Sequence, residues 1–180
     1  MSEYYTMQIA GLTRHLKMCE ISDNLEIAAF IMFSDVELTE ACTKALLEKC
    51  PEFDYILTAE CKGIPLAYEM SRQSNKPYIV ARKSVKGYMT NPLSVSVKSI
   101  TTAGLQTLYL DEEKSKWLNG KRILLVDDVI STGESIKALE KLVEEANGVI
   151  VGKAAVLAEG DAANSSEYIY LEPLPLFFKE

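Results

Sequence analysis

The chain has 180 residues, 48% hydrophobic and 25% charged, which fits a soluble globular protein long enough to bury a sizeable core. A net charge of −7 excludes broad nucleic-acid binding, and no apolar run approaches the ~20 residues that a membrane span needs. The start, MSEYYTMQIAGLTRHLK, lacks a basic stretch followed by an apolar core, so no secretory signal is expected. Cys19, Cys42, Cys50 and Cys61 form no CxxC pair and read as reduced thiols of a cytoplasmic protein.

In chain order, residues 1–17 are weakly patterned and suggest at most a short helix. Leu25 to Phe33 reads as a strand lying over the main body. Ser34 and Glu37 have capping-box spacing, and Asp35 adds negative charge where a helix should begin. Leu38, Ala41, Cys42, Ala45 and Leu46 recur at helical spacing, and Pro51 ends the pattern. Asp54 to Ala59 predicts a strand, Glu60 to Gly63 a turn, and Pro65 the first turn of a helix reaching about Gln73. Tyr78 to Ala81 predicts the next strand, which completes a βαβ unit and implies a parallel pair.

Residues 84–104 are polar and rich in Ser and Thr, with an alternating piece at Leu93 to Val97 that suits part of a hairpin. Loops of this length in compact domains are often functional lids. Thr107 to Leu110 reads as a strand and Asn119-Gly120 as a turn. Ile123 to Val126 is a buried strand, followed by Asp127 and Asp128, a loop from Val129 to Gly133, and a helix from Glu134 to about Ala146. Val149 to Leu157, Tyr168 to Leu171 and Leu174 to Phe178 complete the strands. The alternation predicts one α/β domain over residues 1–180, with a mainly parallel twisted sheet and helices on both faces.

The chemistry concentrates between Ile123 and Ser135. A strand running into a helix start exposes unpaired backbone N–H groups, and the helix dipole adds partial positive charge. That is an anion site, and Gly133 lets the backbone come close. Ser131, Thr132 and Ser135 add hydroxyl donors. No Lys follows the glycine as in a P-loop, and there is no GxGxxG. The adjacent carboxylates suit the hydroxyls of a sugar phosphate, although an acidic pair alone is most often a strand-closing turn. A second feature is the absence of any Asp or Glu from Met70 to Leu110, where Arg72, Lys76, Arg82, Lys83, Lys86 and Lys98 all lie. On an acidic protein, such a positive stretch suits a small polyanion. His15 lies outside every motif and reads as a surface residue. A receiver-like domain using Asp127 and Asp128 for Mg²⁺ is disfavoured, because the pair sits too late in the chain.

Ile123 to Ser135 resembles the phosphoribosyl-pyrophosphate (PRPP) motif of type I phosphoribosyltransferases: an apolar run, two acids, then a loop ending in Thr-Gly. Glu60-Cys61-Lys62-Gly63, Arg82-Lys83 and the ending Pro173 to Phe178 are similar to the adenine phosphoribosyltransferase branch and its purine-salvage relatives. The resemblance implies Mg²⁺-dependent transfer of a phosphoribosyl group from PRPP to a purine base, giving a nucleoside monophosphate and pyrophosphate. A non-catalytic PRPP or nucleotide sensor on the same fold is the alternative.

By the same resemblance, Asp127 and Asp128 face the ribose hydroxyls, and Val129, Ile130, Ser131, Thr132, Gly133, Glu134 and Ser135 wrap the 5′-phosphate. Cys61, Lys62, Gly63, Arg82, Lys83 and Lys86 hold the pyrophosphate. Phe30, Ala158 and Glu159, with the segment to Asp161, hold the base. Mg²⁺ is held mainly through PRPP, with Asp127 or Asp128 as the candidate protein ligand. A small hood from the two termini, a lid at about 84–104 and a homodimer are also implied. The family pattern departs at three places. Glu134 stands where Gly is frequent, and Lys62 replaces an Arg, which keeps the charge and loses the bidentate fork. Ser99 to Gly104 lacks the Glu-Tyr pair of adenine-specific members, so no catalytic residue is assigned.

Overall fold

The computed structural model describes residues 3–98 and 105–179. Its centre is a sheet of β4 (Tyr55–Ala59), β5 (Tyr78–Ala81), β8 (Arg122–Ile130), β9 (Val149–Glu159) and β10 (Ile169–Leu174), in the order β10-β9-β8-β4-β5. Every neighbouring pair in it is parallel. Such strands are covered on both faces, which is why Ile123 to Val126 is an unbroken apolar run.

Helices α1 (Val36–Leu47) and α2 (Ile64–Ser74) supply Leu38, Cys42, Leu46, Leu66 and Met70 to one core, against Ile56, Leu124, Val126 and Val156. Helix α4 (Glu134–Glu145) supplies Ile136, Leu139, Leu142 and Val143 to a second core, against Leu57, Ile123, Leu125 and Ala155. Leu124 and Val126 thus face one way and Ile123 and Leu125 the other, as the period of two along a strand requires. The expected α/β architecture is the one observed.

Residues 1–17 depart from expectation. Among the described ones, 3–17, there is no helix; they form β1 (Tyr4–Ile9) and the first half of β2 (Leu12–Ser22), paired antiparallel across Ala10 and Gly11, both at positive φ. The long β2 has one face against the core at Leu16 and polar residues opposite, so its sparse apolar count hid a strand. β3 (Leu25–Ala29) and β11 (Leu176–Phe178) complete this antiparallel sheet in the order β1-β2-β3-β11, joining the two ends of the chain.

The start of α1 is shifted by one residue. Asp35, not Ser34, is the cap and accepts a hydrogen bond from the Leu38 amide at 3.0 Å. Arg14 Nε donates to the same carboxylate at 2.6 Å, so α1 is pinned to β2 and Asp35 is held below the usual carboxylate range. Helix α3 (Glu112–Leu118) was not anticipated from the sequence; its seven residues bury only Leu118.

The segment 84–104 begins as an irregular loop and then forms β6 (Leu93–Lys98), antiparallel to β7 (Leu105–Leu110). Val95 and Leu108 are buried in the α4 core. Residues 99–104, where the family's Glu-Tyr pair would fall, lie outside the described residues.

Candidate active site

The two central strands β4 and β8 are neighbours, but the chain leaves them in opposite directions. From β4 it passes through α2 on one face to β5. From β8 it passes through α4 on the other face to β9. The crevice at the carboxyl ends of β4 and β8 is therefore the switch point where open α/β sheets bind ligands. Two loops meet there: Glu60 to Gly63 after β4, and Ser131 to Gly133 after β8.

β8 runs four residues further than expected, to Ile130, so Asp127 and Asp128 belong to the strand. Val129 and Ile130 pack into the two cores, leaving only their backbones to a ligand. The loop proper is Ser131 to Gly133. Ser131 and Thr132 are exposed, and Glu134 and Ser135 begin α4 half-buried. Gly133 takes φ +73°, a left-handed conformation that turns the strand into the helix. No side chain caps α4, an arrangement that suits an anion at the helix start. A Cβ on Gly133 would also lie 2.8 Å from the Tyr168 hydroxyl. Tyr168 is thus a neighbour of the loop that no sequence signal announced.

The acidic pair is asymmetric. Asp128 is 2% exposed, and Lys62 Nζ lies 3.1 Å from its Oδ2, across the crevice from the other loop. That oxygen has charge compensation without an aligned hydrogen bond. Asp127 Oδ1 accepts from the Asp128 amide at 2.9 Å. Burial first, and the Asp128 charge second, push the Asp127 carboxyl up to about 7.

The second loop rides closely over the strand ends. A Cβ on Gly63 would overlap Thr58 Oγ1 and come within 3.2 Å of Asp127 Oδ1, so a glycine is needed here for space rather than for φ. The Glu60–Cys61 peptide is cis. Cys61 and Lys62 are exposed, and Gly63 is buried at the start of α2.

Beside this loop stands a basic arm at the end of β5. Ala59 pairs with Ala81, so the next residues, Glu60 and Arg82, are brought side by side. Arg82 Nη2 lies 3.1 Å from Glu60 Oε1, and the Lys83 amide donates to Glu60 Oε2 at 3.0 Å. The Lys83 amide, and after it the Arg82 guanidinium, hold the Glu60 carboxyl below its ordinary range. Arg82 Nη1 also donates to the Tyr88 hydroxyl at 3.2 Å, and Lys86 Nζ donates to Ser84 Oγ at 2.7 Å. Glu60 is a functional neighbour that the sequence could have revealed: parallel pairing of β4 with β5 sets the acid at one strand's end against the base at the other's.

A cleft of 560 Å³ opens from Ser131 and Thr132 towards the antiparallel sheet. Its walls are Ile21, Leu25, Ile27 and Leu176, and its floor carries Glu159, Gly160 and Asp161. Of the residues expected at the base, Glu159 lines this cleft. Phe30 and Ala158 do not: they are 4% and 0% exposed and belong to the cores. Leu25, Ile27 and Leu176 lie in strands that the sequence predicts and Ile21 in the unrecognised first hairpin, but their meeting across the antiparallel sheet depends on pairing between distant strands. His15 and Trp117 stand apart from the crevice. His15 Nδ1, on β2, pairs with Thr6 Oγ1 on β1, and Trp117 lies under Lys114 beside Tyr55.

The phosphoribosyl transferase domain model matches residues 37–172, from α1 to β10. The chain belongs to the phosphoribosyltransferase family. It is 35% identical over 116 residues to a hypoxanthine/guanine phosphoribosyltransferase of Methanocella paludicola, covering 64% of this chain and 57% of that one. It is 34% identical over 107 residues to an adenine phosphoribosyltransferase of Brachyspira hyodysenteriae, covering 59% of each. The chain thus spans less than two thirds of either relative. In fold it is similar to the crystal structure of the adenine phosphoribosyltransferase of Thermoanaerobacter pseudethanolicus, with a TM-score of 0.66 over 95% of each chain at 18% identity. The relatives' names span both hypoxanthine/guanine and adenine phosphoribosyltransferases.

Proposed function

We propose that this phosphoribosyltransferase-family protein transfers the phosphoribosyl group of PRPP to a purine base, releasing pyrophosphate and a nucleoside monophosphate. One observation carries the reading: an uncapped helix start and a carboxylate pair end one central strand, and Lys62, from the loop after the neighbouring strand, reaches that pair at 3.1 Å. The amides of Thr132 to Ser135 and the Ser131 and Thr132 hydroxyls bind the 5′-phosphate. The Asp127–Asp128 pair accepts hydrogen bonds from the ribose hydroxyls. Lys62, Arg82, Lys83 and Lys86 bind the pyrophosphate, with Glu60 orienting Arg82 and the Lys83 amide.

In the reaction the bond from ribose C1 to the pyrophosphate oxygen breaks, and its electron pair leaves with pyrophosphate. A base nitrogen bonds to C1 and loses its proton to solvent. Charge grows on the leaving oxygens as the bond breaks, so fixed cations there stabilise the transition state more than the ground state.

Among the described residues no group of three or more His, Cys, Asp or Glu side chains is gathered to hold a metal. The donor set at the crevice, two carboxylates with a buried Asp128 oxygen lacking an aligned hydrogen bond, fits a Mg²⁺ ion already chelated by the ligand's own oxygens. When bound, Mg²⁺ supplies charge neutralisation on the departing pyrophosphate. A homodimer and a cytoplasmic location belong to the same proposal; sedimentation at twice the chain mass tests the first.

The deciding experiment is incubation with PRPP, Mg²⁺ and a panel of purine bases, followed by assay of pyrophosphate. Release that depends on one of the bases is the expected result. Tight PRPP binding with no release on any base would make the protein a PRPP sensor instead.

A further inference from the structure

The phosphate loop has a neighbour from outside the motif that forms it. Tyr168 lies between a 3₁₀ turn (Gly160–Asn164) and β10, and its hydroxyl oxygen is 2.8 Å from the place a Cβ on Gly133 would take. The next ring atom, Cζ, is 3.8 Å from that place, an ordinary contact. Among the described residues, these two are the only atoms within 4 Å of it. One oxygen thus closes the space beside the left-handed glycine.

A tyrosine hydroxyl is the far end of a side chain with two rotatable bonds, and alone it would swing away from a small intruder. Here the tyrosine is held on both sides. Ile169, the next residue, begins β10 and pairs with Ala154 of β9. Glu167, the residue before, forms an ion pair with Lys153 of β9, and the same ammonium pairs with Glu140 of α4. That ammonium also stands 6.0 Å from the centroid of the Tyr168 ring, and the ring packs against the α4 core. Lys153 is only 14% exposed, so its pairs are screened by salt less than surface pairs are. Strand β9, helix α4 and the backbone of Tyr168 are therefore tied together at one lysine.

Resting on the phosphoribosyl-transfer reading above, we propose that Tyr168 is a positioning residue for the 5′-phosphate loop: clamped through Lys153, its hydroxyl fixes the turn at Gly133 and so aims the start of α4 at the phosphate. It acts through Gly133 rather than on the ligand. The phosphate that stays on the ribose is held alike in the ground state and the transition state. Loss of its positioning is therefore read in KM for PRPP rather than in kcat.

The contact is tested from both sides. Gly133→Ala sets a Cβ against the hydroxyl at φ +73° and should weaken ribose 5-phosphate about 30-fold by calorimetry. In the Tyr168→Phe background the oxygen is gone and the φ strain remains, so the same substitution should cost only about 5-fold. Lys153→Met releases the tyrosine to give way, and there too the cost should fall. Equal costs in all three backgrounds would overturn the proposal. In kinetics, Tyr168→Ala should raise KM for PRPP about 10-fold and change kcat by less than about 2-fold. A loss confined to kcat, or no change in either constant, would leave the ring a merely structural role and overturn the proposal as well. A wild-type protein that binds neither ribose 5-phosphate nor PRPP would instead count against phosphoribosyl transfer. Melting temperatures of the same variants would then still decide the clamp: Gly133→Ala should lower Tm less in the Tyr168→Phe background, and an equal drop in both would refute it.

Discussion

The two loops that face each other across the β4–β8 crevice offer groups suited to an anion in opposite ways. The β8 loop uses backbone: a left-handed Gly133 and the start of α4, which no side chain caps. The β4–β5 side uses side chains: Lys62 against Asp128, and Arg82 with the Lys83 amide held on Glu60. Amides on a rigid strand–helix junction fix a position and carry no formal charge. Flexible cations give up position and gain field strength, which suits a leaving group on which charge accumulates. On the proposed reading, the difference teaches that a phosphate that stays and a pyrophosphate that leaves are held by different physics, one geometric and one electrostatic.

The sharpest way to break this contrast is at Gly133. Gly133→Val forces a β-branched side chain into φ +73° and against the Tyr168 hydroxyl, so PRPP affinity should fall at least ~100-fold by calorimetry, with little dependence on salt. An unchanged affinity would mean that the amide cradle is misassigned. On the electrostatic side, Lys83→Ala should weaken PRPP about 10-fold at low ionic strength, and the loss should shrink as salt is raised. If that loss were indifferent to salt, the basic arm would be acting through geometry after all.

A third effect is smaller and concerns the acidic pair between the loops. Because the folded Asp127 carboxyl titrates near 7 rather than at its ordinary 3.8, the folded state binds more protons than the unfolded state between about pH 4 and 7. Stability of the ligand-free protein should therefore fall as pH rises through that window. Asp127→Asn keeps the acceptor for the Asp128 amide and removes the charge. It should make the protein more stable than wild type at pH 8 by about 1 kcal/mol in urea denaturation, with the gain vanishing at pH 4, while ligand affinity drops. The smallest effect lies at the opposite end of the same strands. The bidentate Arg122–Asp54 pair, at 2.9 Å, is exposed to solvent. Asp54→Ala should leave stability almost unchanged in urea denaturation and PRPP affinity untouched.

How much of this was legible in the sequence follows from the same contrast. The β8–α4 junction is contiguous, so strand, acids, loop and helix start could be read in one pass, with only the strand's end misjudged because Asp127 to Ile130 looked like a turn. The basic arm could be seen as an acid-free stretch but not assembled, since Glu60 meets Arg82 through pairing between β4 and β5. The cleft was the least legible part. Its wall comes from β2, β3 and β11, from both ends of the chain, and the polar first hairpin gave no helical or alternating signal strong enough to declare itself.

By itself, then, the sequence determined the parallel α/β core and the amide-lined anion loop, because both depend on local periodicity and on residues adjacent in the chain. The tertiary structure decided what sits opposite what: Lys62 against the buried Asp128, Glu60 against Arg82, and Glu159 at the end of an apolar cleft. Those relations depend on sheet order and on chain ends meeting, and pairwise distances across a fold are not written in the spacing of residues along it.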